Sequence, residues 1–244
     1  VKLSNGWKGF LLSMVSGAAL VLAFAPFKFW FVAPLSLAAF FLLLYPVSAP
    51  TAAWRGYGFG LGLYGTGVSW VYVSLSTFGG MPLWMGSIAV FGFATLLAGF
   101  IALLAFLVAR LFPARSWLRL LILPAIWIIF EWLKSWVLTG FPWLDIGYAV
   151  VDTWFAAWAP IGGIYLVSFV VAAIAALLAA GLLYRWWPSA AFVAGLVLVS
   201  WLIDIVDWGE SYEHALKVGV IQANVSIDQK WEPGYRRAVI DNYR

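Results

Sequence analysis

The sequence predicts an α-helical polytopic membrane protein with seven transmembrane helices, followed after residue 205 by the start of an α/β domain. Three observations carry this reading. Of 244 residues, 65% are hydrophobic and 10% charged, whereas soluble domains keep their apolar fraction near one half. Successive apolar runs are joined by short loops that hold most of the basic residues. Beyond residue 205 the pattern changes to acidic residues and then to alternating branched ones, the period of a sheet strand.

Lys2 and Lys8 precede the first run, residues 9–24. Ala23-Phe-Ala25 imitates a signal-peptide cleavage site, but the further apolar runs make an uncleaved first span the expectation. Pro26 ends it, and residues 29–45 form a second, short span. The third, 55–74, carries Gly56, Gly58, Gly60, Gly62, Gly65 and Gly67. Its Gly60-x-Gly-x-x-Gly65 spells a dinucleotide fingerprint, but no strand precedes it and the run is lipid-like, so the match is rejected. Glycines four apart, Gly56 with Gly60 and Gly58 with Gly62, instead predict close helix packing.

The fourth span, 83–111, exceeds the roughly 20 residues that a bilayer requires. Arg110, Arg115 and Arg119 follow, and the fifth span covers 120–137. Near its end Glu131, the first carboxylate in the chain, and Lys134 share a helix face and are expected to neutralise each other. Gly140 and Pro142 stop the helix, and Phe141, Trp143 and Tyr148 have the character of a membrane boundary. Residues 139–160 are expected to lie in the interface, bordering a membrane-embedded cavity. The sixth and seventh spans are 161–183 and 190–205.

Lys2, Lys8, Arg55, Arg110, Arg115, Arg119 and Arg185 fall on one side of this arrangement, and Lys28 and Lys134 on the other. The excess of basic residues puts the amino terminus in the cytoplasm. Seven crossings then leave everything after residue 205 outside. The expected division is a membrane domain over 1–205, an acidic connector over 206–215, and a strand and helix over 216–244. The strand alternates from Leu216 to Asn224, and Pro233 starts a helix that presents Tyr235, Val239 and Tyr243. One strand and one helix make no core, so the chain is expected to stop at the beginning of a larger domain.

Composition also excludes chemistry. The chain has no Cys and a single His, His214, which rules out disulfides, a thiolate metal site and a cysteine nucleophile within it. No metal and no cofactor is expected. The net charge of +4 is dispersed over loops and gives no nucleic-acid surface.

Several segments occur together in a telling order: Leu22-Ala-Phe-Ala-Pro-Phe27, Ser69-Trp-Val-Tyr-Val-Ser74, Glu131-Trp-Leu-Lys-Ser-Trp136, Thr139-Gly-Phe-Pro-Trp-Leu144, and Gly219-Val-Ile-Gln-Ala-Asn224 with Lys230-Trp231. In this the chain resembles the apolipoprotein N-acyltransferases along essentially its whole length. The resemblance implies seven membrane helices in the inner membrane of a bacterium, then a periplasmic nitrilase-like α/β domain. It further implies an acyl chain moved from a phospholipid through a cysteine thioester to the amino group of a diacylglyceryl-cysteine on a lipoprotein. The implied partners are thus a phospholipid donor, a diacylglyceryl apolipoprotein acceptor and membrane lipid.

By the same resemblance Trp231 borders the acyl pocket, and Phe141, Pro142, Trp143 and Leu144 form a loop beneath it. Gln222 and Asn224 stand at the carboxyl end of the first strand, where α/β sheets bind ligands. None of the family's catalytic residues is carried by this chain: it has no Cys, Glu232 is out of position for the general base, and Lys134 is in the membrane part. The competing expectation is a transporter or channel using Glu131 and Lys134 as an intramembrane relay.

Overall fold

The computed structural model describes residues 6–209, 217–220, 222, 226 and 234–241. Each of the apolar runs is helical. The helices are α1 (Trp7–Leu20), α2 (Val32–Leu43), α3 (Ala49–Gly67), the short α4 (Trp70–Val73), α5 (Leu83–Leu111), α6 (Leu118–Lys134), α7 (Ala159–Tyr184), α8 (Pro188–Asp204) and α9 (Arg236–Asp241). α5 and the continuous segment Trp154–Tyr184 are long and apolar enough to cross a bilayer, while α1 with its terminal turn, α2 and α8 are apolar but shorter. Together with the composition, this is the make-up of a helical membrane protein. The 12 residues of α2 rise about 18 Å, well short of a hydrocarbon core of about 30 Å.

The glycines of α3 explain the centre of the bundle. α3 packs most extensively against α5 on one side and α1 on the other. A methyl group at Gly56 or Gly60 would run into Ile101, Ala105 or Ala98 of α5, and one at Gly58 or Gly62 into Phe10 or Met14 of α1. Each pair spaced four apart therefore serves a different neighbour, and the backbones approach where lipid-like side chains give no hydrophobic preference for one partner over another. α7 packs on α6, α2 and α8. Ser16 and Ser36 join α1 to α2 reciprocally, each hydroxyl donating to the other's carbonyl at 2.8 and 2.6 Å.

Three expectations are corrected. The third helix starts at Ala49 rather than at residue 55, so Arg55 is not a loop cation. It is 1% exposed and donates to the Leu43 carbonyl at the end of α2. Arg119, 3% exposed in the first turn of α6, donates to the carbonyls of Phe112, Leu44, Val47 and Ala109. Both arginines supply donors to helix carboxyl ends that would otherwise be unsatisfied. The third run is also broken: α3 stops at Gly67, and α4 passes into a π-turn over Ser74–Phe78.

Residues 139–160 carry exposed Pro142, Trp143, Tyr148 and Val151 beside buried side chains. They form short 3₁₀ turns, Ile146–Val150 and Trp154–Trp158, whose Ile146, Val150 and Phe155 are buried against the bundle. Finally, among the described residues there is no strand: Lys217 to Val220 and Gln222 are exposed and irregular, for want of a neighbouring strand to pair their backbone groups. Asn224 and Trp231 lie outside the described residues, as do His214, Glu232, Pro233 and Tyr243. The helix anticipated after Pro233 is present as α9.

Candidate functional site

The site is built on the last turn of α6 and the return loop behind it. Amphipathic α6 buries Trp127, Glu131 and Lys134 on one face and leaves Trp132 and Trp136 outside. Trp132 and Trp136 meet edge to face at 5.3 Å between ring centres. After Lys134 the helix cannot continue, because Leu138, Thr139 and Gly140 take positive φ values of 54°, 76° and 81°. At Gly140 a side chain would collide with the Ser135 carbonyl, so glycine is required there. The chain doubles back, and Phe141 N donates to Lys134 O at 2.8 Å.

Lys134 then clamps the returning strand of chain. Its ammonium lies 2.7 Å from Oδ1 of Asp145 and donates to the carbonyls of Phe141 at 2.9 Å and Trp143 at 2.7 Å. Lys134 and Asp145 are 3% and 1% exposed. The ammonium thus has one ion pair and two hydrogen bonds to backbone carbonyls. Glu131, expected to pair with Lys134, does something else: its Oε1 accepts from Trp127 Nε1 and from Ile146 N, both at 2.8 Å. The opposite charge for Lys134 is therefore Asp145, and Glu131 anchors the next turn of the loop. Ser168 of α7 completes the attachment by accepting from Gly147 N at 3.0 Å.

What the clamp holds out is a set of aromatic rings. Phe141 and Trp143 stack at 5.2 Å, Phe93 of α5 meets Phe141 edge-on at 4.9 Å, and Trp70 of α4 lies 6.3 Å from Trp143. Trp143 and Pro142 are exposed and Phe141 is half-buried. Of the residues singled out from sequence, the structure thus brings Phe141, Pro142 and Trp143 together on one ledge. Gln222 is exposed and irregular, with no contact to this ledge among the described interactions. Sequence reading missed Asp145, Trp127, Ser168 and the rings of Phe93 and Trp70. For Asp145 a signal existed: it is the acid nearest to Lys134 after the Gly140 and Pro142 break.

The arrangement supports binding and positioning rather than bond-making. An apolar, partly exposed ring platform takes an acyl chain or another flat or aliphatic group. Beneath it Lys134 is held by Asp145 and two backbone carbonyls, and Glu131 by Oε1 alone, its Oε2 being buried without a hydrogen-bond partner among the described residues. The space beside Glu131, Lys134 and Tyr64 amounts to about 10 Å³, about the least that holds one water molecule. Among the described residues, no three His, Cys, Asp or Glu side chains come together as metal ligands.

The pattern of the family described as "Apolipoprotein N-acyltransferase N-terminal domain" matches residues 16–177, which include α6, the return loop and most of α7. Among similar proteins, one from Pseudomonas putida KT2440 named "Apolipoprotein N-acyltransferase" is 40% identical, over 98% of this chain and 49% of its own length. Another of the same name from Vibrio parahaemolyticus is 41% identical over 93% of this chain and 45% of its own. A third, from Pseudomonas aeruginosa PAO1, is 39% identical over 98% and 48%. The chain therefore spans about half the length of these relatives, and with the match over its membrane helices it belongs to the apolipoprotein N-acyltransferase family.

Proposed function

We propose that this chain is the membrane-embedded part of an enzyme that transfers an acyl chain from a phospholipid to the amino-terminal diacylglyceryl-cysteine of lipoproteins. The observation that carries the reading is identity of about 40% sustained over nearly the whole chain with relatives of that name. In this reading the helices cross the bacterial inner membrane seven times, with the amino terminus in the cytoplasm and residues after 205 in the periplasm. Residues 216–244 begin a nitrilase-like α/β domain. The ledge of Phe141, Pro142 and Trp143 lies beneath that domain and guides an acyl chain toward it, and Trp231, Gln222 and Asn224 border the same pocket.

The division of labour follows from the chemistry. Acyl transfer through a covalent intermediate needs an activated nucleophile and a cation or donor at the developing oxyanion. This chain has no Cys, and the ammonium of Lys134 is buried and bound to Asp145 and two backbone carbonyls of its own loop. Its share of the task is to hold a lipid-facing platform at fixed height, which a loop without the Lys134 clamp could not do.

Complementation tests the reading. Expressed from its intact reading frame, the gene should restore N-acylation in a bacterium depleted of that activity, read as one additional amide-linked acyl chain on the amino-terminal peptide of a lipoprotein by mass spectrometry. Unchanged diacylated peptide, with the protein present in the membrane, would refute it.

A further inference from the structure

A second apolar cavity, of about 650 Å³, opens between α6 and α7 at the end of the bundle opposite the clamp. It lies where α6 begins and α7 ends, between Leu121 and Pro124 on one wall and Ala173, Ala176 and Leu177 on the other. Ala173, Ala176 and Ala180 recur at helical spacing on α7, so small side chains face the space and leave it open. The volume falls in the range of cavities that hold a ligand.

The mouth of this groove is aromatic, and two arginines neighbour its rim in the chain. Trp117, Tyr184 and Trp186 form its rim. Tyr184 Oη lies 3.2 Å from Tyr45 Oη, and Tyr45 donates to the Arg115 carbonyl at 2.9 Å, which ties the loop before α6 to the end of α7. Arg115 and Arg185 are exposed at this end, beside Tyr45 and between Tyr184 and Trp186. The carboxylates Glu131, Asp145, Asp152, Asp204 and Asp207 all stand at or beyond the carboxyl ends of α6 and α8, at the other end of the bundle. The ion pairs among the described residues, Lys28 with Asp152 and Lys134 with Asp145, include neither arginine.

We propose that this groove seats one acyl chain of an anionic glycerophospholipid, with its phosphate held by Arg115 and Arg185. An apolar slot, an aromatic rim and guanidinium groups without an ion pair among the described residues are the three parts that such a ligand requires: a place for the chain, an interfacial boundary, and bidentate donors for the phosphate. This is a binding site separate from the acyl-donor platform, at the opposite end of the same helices. It rests on the orientation proposed above, which puts this end in the cytoplasmic leaflet, where anionic headgroups are available.

The test uses the protein from its intact reading frame, in nanodiscs of phosphatidylglycerol and phosphatidylcholine, with one or the other carrying a photoreactive group in mid-chain. Peptide mapping should find adducts on Leu121 and Leu177, favouring phosphatidylglycerol. Arg115→Ala with Arg185→Ala should abolish a preference of up to about twenty-five-fold, a factor of about five for each arginine, while labelling by phosphatidylcholine persists. Ala173→Phe should fill the slot and remove the adducts with either lipid.

Equal labelling by both lipids overturns the headgroup assignment, and absence of adducts at Leu121 and Leu177, or cross-linking of a protein segment there instead, overturns the site. Arg115→Cys, read against the same protein without that substitution, separates this from the orientation. Labelling of that thiol only from the cytoplasmic face, with no adducts, rejects the lipid site alone. Labelling from the periplasmic face rejects the orientation and the lipid site with it.

Discussion

The Lys134 ammonium lies 2.7 Å from Asp145 Oδ1, so the last turn of α6 and the return loop behind it are joined by a buried ion pair whose members are separated in sequence by a helix break. Removing one member leaves the other charged and desolvated. Asp145→Ala is expected to cost about 3–5 kcal/mol, read as a lowered midpoint of thermal unfolding in detergent. The double variant Lys134→Met with Asp145→Leu should lose less than Asp145→Ala alone. If the double variant is the least stable, the pair is not the unit that holds the loop.

The glycine pairs of α3 make a contrast within one helix. Gly62→Val should force α3 from α1 and lower stability by about 1–3 kcal/mol or more, because Met14 O and Ala18 N occupy the space. Gly65 faces open space, and Gly65→Ala should be neutral or stabilising, since alanine favours helix over glycine. Equal losses in thermal stability at the two positions would contradict this packing.

Arg119 distributes its donors over four carbonyls, and a lysine at that position offers a single point of charge. Arg119→Lys should therefore destabilise by about 1.5–3 kcal/mol for each charged hydrogen bond that is not remade. Chemical denaturation in mixed micelles measures it, and full stability with lysine would show that charge alone, rather than the planar fork, is needed.

Covalent trapping bears on the chemistry. Incubated with a phospholipid carrying a labelled acyl chain, the 244-residue polypeptide should form no thioester, since it has no Cys. A hydroxylamine-sensitive adduct on this polypeptide would show that another residue here serves as nucleophile.

Accessibility labelling reads the orientation. Arg115→Cys and Gln222→Cys, each a lone thiol, should react with a membrane-impermeant maleimide from opposite faces of intact spheroplasts. Reaction from one face for both would refute the proposed odd number of crossings and, with it, the proposed periplasmic position of residues after 205.

The helical runs and the glycine pairs were legible because both are local. An apolar run, an absence of charge and a spacing of four need no knowledge of what lies opposite. The paired glycines even show on which faces α3 meets its neighbours, although not that α1 takes one pair and α5 the other. The family resemblance rested likewise on short segments in order. Arg55 was misread as a loop cation because composition places arginine in water, and only the neighbouring carboxyl end of α2 supplies an acceptor inside. The strand expected over Leu216 to Asn224 is not seen at Lys217 to Val220 and Gln222 for a related reason: alternation states a preference, and a strand forms only beside a partner.

By itself, then, the amino-acid sequence determined that the chain is helical, lipid-like, without a thiol, and related in its motifs to the apolipoprotein N-acyltransferases. Tertiary structure alone decided which charge answers Lys134. Proximity along α6 favours Glu131, but a buried ammonium settles where it meets the most acceptors. The positive φ angles at Leu138, Thr139 and Gly140 bring Asp145 and two carbonyls within 2.9 Å of it. The same reversal raises Phe141 and Trp143 into the ledge, because a ring platform needs side chains from α4, α5 and the loop to arrive at one place.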